Sequence, residues 1–143
     1  LERPSRDIAG QAGQSGQTPA SAPGVVERVR GLLLQALKNK ASDIHIQPMA
    51  NSLVVRFRID GQLQTLLTLD KDMLAPVISH LKLVSSLDFA EKRRPQDGRV
   101  SLEHEGRSHD FRLSIVPGVF GEKAVIRAVG SSDKRVTPLH QLG

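Results

Sequence analysis

The sequence predicts an α+β fold, a largely antiparallel sheet with helices packed on one face. Three features carry this expectation. Two stretches, near residues 24–40 and 70–86, repeat apolar residues at helical spacing. Several shorter stretches alternate apolar and polar residues, as strands with one buried face do. The dipeptides Asp60-Gly61 and Glu105-Gly106 stand between pairs of such stretches and read as tight turns.

Residues 1–23 are rich in Gly, Ser, Gln, Ala and Pro, as in "GQAGQSGQTPASAP". Such a stretch buries too little apolar surface to offset its ordering entropy, so it is expected to be a flexible linker. The folded domain is expected over residues 24–130. Val25, Val26, Val29, Leu32, Leu33, Ala36 and Leu37 form the first helical stripe. Lys38 and Lys40 suit the negative end of that helix. In "SDIHIQP", Ile44 and Ile46 face one way and Asp43, His45 and Gln47 the other, with Pro48 closing the strand. Leu53, Val55, Phe57 and Ile59 share one face of the next strand, and "QLQTLLTL" returns after the Asp60-Gly61 turn. A second helix is expected over Asp70–Ser86, with Met73, Val77, Leu81 and Val84 inward and a first turn shortened by Pro76. "DFAEKRRPQDG" reads as a loop, with Gln96-Asp97-Gly98 a turn and Gly98 at a left-handed position. Strands follow at 99–103, 107–115 and 123–129, and residues 131–143 read as a second linker. Flexible segments at both ends, and a first residue other than Met, lead us to expect an interior slice of a larger protein.

The chain has 143 residues, no Cys, Trp or Tyr, and four Phe. The core must therefore be aliphatic, and disulfides and thiolate metal sites are excluded. No apolar run approaches the roughly 20 residues of a membrane span, and no signal peptide is visible. The formal charge of +5 tolerates anionic partners and equally well serves solubility alone.

Arg112 and Arg127 are the most informative charges. Alternation places Arg112 with Asp110 and Ser114, away from Phe111, Leu113 and Ile115. Arg127 lies with Lys123, Val125 and Val129, opposite Ala124, Ile126 and Ala128. If their strands are neighbours, the two guanidiniums converge, and an anion between them would offset their repulsion. On periodicity alone, surface ion pairs with Asp110 and Glu122 are the plainer account. Asp43, His45 and Asp60 have generic spacing and no further ligand nearby, so no metal site is expected. Asp88 and Glu91 read as loop ion-pair partners before they read as an acid/base pair. Nothing matches the phosphate loop G-x-x-x-x-G-K-[ST], and no catalytic residue is expected within the chain.

The motifs "ASDIHIQP", "VRFRIDGQL", "LDFAEKRRPQDGR" and "DFRLSIVPGVFGEKAVIR", in this order and spacing, resemble the ATPases of type II secretion and type IV pilus assembly. The resemblance runs from about Val25 to Leu142. It implies a PAS-like domain preceding a RecA-like ATPase domain in a cytoplasmic homo-hexamer, peripheral at the inner membrane through platform proteins. It implies ATP, with Mg²⁺, bound between the two domains. Arg112 and Arg127 would reach the nucleotide phosphates, with Arg99 a weaker candidate. Charge compensation of this kind resembles that of an arginine finger. Domain motion with the ATP cycle would then drive secretion or pilus assembly. The phosphate loop and the acidic motifs would lie beyond Gly143, so the chain alone is expected to bind no nucleotide and to hydrolyse none. The sequence departs from the family at Gln47 (commonly Glu), at Arg94 (commonly Leu) and at Ala128-Val129-Gly130 (commonly Leu-Leu-Asp). A docking module for neighbouring subunits or platform proteins remains the alternative. Nucleic acid is not an expected partner, because aromatic residues for base stacking are scarce.

Overall fold

Helix α1 (Pro23–Lys38) opens a computed structural model that describes residues 23–133. Its buried stripe is Val25, Val29, Leu32, Leu33 and Ala36, the i, i+4, i+7 pattern of a helix with one wet face. Lys40 takes the left-handed conformation (φ 56°), which lets the Ala41 amide donate to the Ala36 carbonyl at 2.9 Å. That bond closes the helix in the manner of a Schellman end.

Three strands follow: β1 (Asp43–Pro48), β2 (Ser52–Ile59) and β3 (Gln62–Asp70). Asp60 (φ 53°) and Gly61 (φ 80°) both sit at positive φ, as a type I′ hairpin turn requires. A 3₁₀ turn at Lys71–Met73 leads into α2 (Leu74–Val84). Pro76 is the third residue of α2 and falls where an amide has no intrahelical acceptor, so the ring costs no hydrogen bond. Strands β4 (Gln96–His104), β5 (Arg107–Val116) and β6 (Lys123–Asp133) complete the chain.

All six strands form one sheet in the order β3-β2-β1-β6-β5-β4, each neighbour antiparallel. The α+β expectation is met. The centre of the sheet is the pairing of β1 with β6, which joins the first hairpin to the later three-stranded meander. One face carries Ile44, Phe57, Phe111, Leu113 and Ile126, all buried against the two helices. The other face is open, and the charges lie there.

Four expectations need correction. The buried residues of α2 are Val77, Ile78, His80, Leu81 and Lys82; Met73 packs against the core while only partly buried, and Val84 is exposed. Val84 is the last helical residue, and Ser85 has already left helical geometry. Lys82, 1% exposed, is tolerated inside because its Nζ lies 2.9 Å from the Glu122 carboxylate and donates to the Glu91 carbonyl at 2.6 Å. Gln96-Asp97-Gly98 is the start of β4 rather than a turn, and Gly98 is not at positive φ. Its lack of a side chain serves close approach instead, since a Cβ there would stand 2.9 Å from Ser85 Cβ. Asp88 and Glu91 make no ion pair among the described residues. Their carboxylates accept from the Ala90 amide at 2.9 Å and the Arg93 amide at 2.8 Å, and so brace the loop backbone.

The last correction concerns the carboxyl end. β6 continues through Ser131–Asp133, the first residues of the segment expected to be a linker, because β5 offers a ladder as far back as Arg107. A bulge opposite Asp110/Phe111 leaves Val129 out of the register. The remainder of that segment, and residues 1–22 of the first expected linker, lie outside the described residues.

Candidate functional site

The register writes a row of charge across the open face. Arg99 pairs with Arg112, Arg112 with Arg127, Arg127 with Asp43, and Asp43 with Arg58. Directly opposed residues point to the same side with Cβ atoms about 5 Å apart. Four arginines from four different strands are thus aligned with one carboxylate. Like charges opposed in this way destabilise a sheet, so the row is not explained by folding.

Arg127 and Arg58 both reach Asp43. Arg127 Nε donates to Asp43 Oδ1 at 2.9 Å, and Arg58 Nε lies 3.3 Å from Oδ2. Arg58 Nη1 also donates to the Gly61 carbonyl at 3.0 Å. The carboxylate of Asp43 is buried, whereas Arg127 is 68% exposed. Asp43 raises the Arg127 guanidinium above its ordinary value, first by the hydrogen bond and then by charge. The terminal amino groups of Arg127 donate to no partner among the described residues, and neither do the guanidiniums of Arg112 and Arg99. Arg112 and Arg127 border a cavity of about 440 Å³ with Asp97, Ser114 and Val125.

The ion-pair account of these arginines named the wrong carboxylates. Asp110 accepts from the Ser101 hydroxyl at 2.9 Å, and Glu122 is buried against Lys82. The carboxylate that reaches Arg127 is Asp43, weighed in the sequence only as a metal ligand. Asp60, its supposed companion, sits in the hairpin turn. The structure therefore brings Arg99, Arg112 and Arg127 into one row, adds Arg58, and supplies an anchor that the sequence did not single out. Alternation did place Asp43 on the open face; what it lacked was the identity of the neighbouring strand.

His45 lies one position along from Asp43 on the same face, opposite Val125 and Arg56. Its value is lowered from 6.5, chiefly by burial and by Lys123, with Asp43 opposing and Arg58 and Arg127 adding to the fall. The unfolded chain therefore holds this proton more tightly than the folded one. Stability carried by neutral His45 is complete above about 6.5, begins to fall as pH drops through that value, and is gone below the lowered one. His45→Gln is expected to flatten the decline of the unfolding free energy between about pH 7.5 and 5. Urea midpoints across that range check it, and an unchanged slope would exclude His45 as the titrating group.

A family model described as "Type II/IV secretion system protein" matches residues 20–143. The chain is 42% identical over 123 residues to the putative type II secretion system protein E of Escherichia coli (strain K12), covering 86% of this chain and 25% of that protein. It is 41% identical over 119 residues to the type II secretion system protein E of Aeromonas hydrophila, covering 83% and 24%. It is 40% identical over 119 residues to the type II secretion system ATPase E of Vibrio cholerae serotype O1, again covering 83% and 24%. The match thus spans about a quarter of the length of each relative. With 124 consecutive residues under one family model, the chain belongs to the type II/IV secretion system protein family.

Proposed function

We propose that this chain is a PAS-like, nucleotide-sensing domain of a hexameric motor ATPase that works in type II secretion or pilus assembly. The observation that carries the proposal is the direct opposition of Arg112 and Arg127 on the open face, where no carboxylate among the described residues pairs with Arg112. Planar guanidiniums so placed repel unless an anion joins them, and their forks match phosphate oxygens. The triphosphate of ATP, when bound, supplies that anion and the bond to be hydrolysed. Arg112 and Arg127 would hold its oxygens and offset charge that grows in the transition state. Arg99 extends the row to the sheet edge and would take part less directly. Guanidiniums cannot ligate a metal, so Mg²⁺ would be held by other groups.

The phosphate loop would come from the C-terminal ATPase domain of the same or a neighbouring subunit. Contacts made only in the closed arrangement let ATP favour closure, and their loss on hydrolysis would release it. Around a ring, that motion would be passed to platform proteins at the inner membrane, with the motor on the cytoplasmic side. Among the described residues no helix is long and apolar enough to cross a membrane.

One observation favours a second role beside the first. The loop between β5 and β6 exposes Val119 (93%) and Phe120, and Phe89 is exposed too. Apolar residues so displayed suit a docking surface for a subunit or platform protein.

The test adds this chain to its separately purified C-terminal ATPase domain and follows phosphate release. Stimulation by the wild type and none by Arg112→Ala/Arg127→Ala is the expected result. Demonstrated association of the two pieces without stimulation would overturn the nucleotide role and leave docking.

A further inference from the structure

The geometry points to Asp43 as a positioning residue that presents Arg127 to its anion, with Arg58 as the counter-charge that makes this possible. The inference rests on the nucleotide reading above and goes beyond it, since Asp43 and Arg58 would touch no nucleotide.

A guanidinium has one Nε–H and four terminal N–H groups. Asp43 Oδ1 takes the single Nε–H of Arg127 at 2.9 Å. The terminal amino groups, with which two oxygens of one phosphate can be gripped, are left free and at the surface. A carboxylate bound to those terminal groups would have blocked the site. A carboxylate bound to Nε fixes the plane of the guanidinium and leaves its end open.

Asp43 is well placed to hold still. It lies on β1, which is paired on both sides, to β2 and to β6. Its side chain is 7% exposed, so the carboxylate end of the pair is shielded from water although Arg127 is not. Each carboxylate oxygen holds one arginine, Arg127 on Oδ1 and Arg58 on Oδ2. Arg58 is itself tied back to the Gly61 carbonyl at its own hairpin turn. That arrangement also resolves a charge problem. A bare carboxylate beside the site would repel a phosphate. Arg58 shares the Asp43 carboxylate with Arg127, so the three groups together keep a net positive charge toward the ligand. Without the tether, a long side chain 68% exposed would sample many rotamers, and small misplacements of a reacting-site group cost about a hundredfold in rate.

The test is a double-mutant cycle on the full-length protein: Asp43→Asn, Arg127→Ala and the two combined. Asparagine keeps the shape and loses the charge that holds two arginines. ATP hydrolysis is read as kcat and KM, with the hexamer and the unfolding midpoint checked for each variant. Asp43→Asn is expected to lower kcat/KM about tenfold or more. The same change in the Arg127→Ala background is expected to have no further effect, because the group it positions is gone. Equal losses in both backgrounds, or no loss from Asp43→Asn alone, would overturn the positioning role and leave the nucleotide reading standing. Unchanged hydrolysis by Arg127→Ala would overturn the nucleotide role of Arg127, and the role of Asp43 with it.

Discussion

On the proposed motor reading, the ATPase that carries this domain is expected to hydrolyse ATP about 10²–10³-fold more slowly with Arg112→Ala and Arg127→Ala, its assembly intact. Both side chains stand on the open face of the sheet and bury nothing in the core. Removing them is expected to change the stability of the fold little, because two opposed cations disappear from adjacent strands while Asp43 loses its bond to the largely exposed Arg127 and keeps Arg58. That contrast distinguishes the site from the scaffold: activity falls steeply while the unfolding midpoint moves little. The measurement pairs a phosphate-release assay with sedimentation of the hexamer. Loss of the hexamer with the arginines would show that they serve a subunit interface. Full activity would remove them from the nucleotide altogether.

Lys82→Met is expected to destabilise the domain by about 3–5 kcal/mol, as removal of one partner of a buried ion pair does. Lys82 joins three segments. Its Nζ donates to Glu122 Oε1 at 3.1 Å just before β6 and to the Glu91 carbonyl at 2.6 Å in the loop before β4. Glu122 Oε2, 2.9 Å away, is held by charge without a directed hydrogen bond. Methionine matches the volume and leaves the buried carboxylate unpaired. The informative control is Lys82→Met with Glu122→Leu, which removes both charges and should recover most of the loss. Urea unfolding at neutral pH measures both. A cost below about 1 kcal/mol for the single variant would mean that Glu122 finds water or another cation, and that the pair contributes as little as a surface bridge.

Secondary structure was largely legible because its causes are local. The helical stripe of α1, the alternation in "SDIHIQP" and the Asp60-Gly61 turn each involve residues within a few positions of one another. The misreadings arose where tertiary contact overruled a local signal. Gly98 looked like a turn residue and proved to be a gap for Ser85. Lys82 was not among the residues expected to face inward, and its burial follows from a glutamate 40 residues away. The strand of residues 123–129 ran on to Asp133 because β5 offered it a ladder.

The candidate site divides in the same way. The sequence by itself determined that Arg112 and Arg127 leave their strands on the side opposite the core, since alternation needs only the neighbours of each residue. It also determined, through motifs running from Ala41 to Arg127, the family to which the chain belongs. Only the tertiary structure decided that β1 and β6 lie side by side, and so that Asp43 meets Arg127 across 84 positions of chain. Strand order follows from which faces bury the most apolar surface together, a property of the assembled sheet that no single segment carries. For that reason the arginines could be read from the string of residues, while the carboxylate that aims one of them could not.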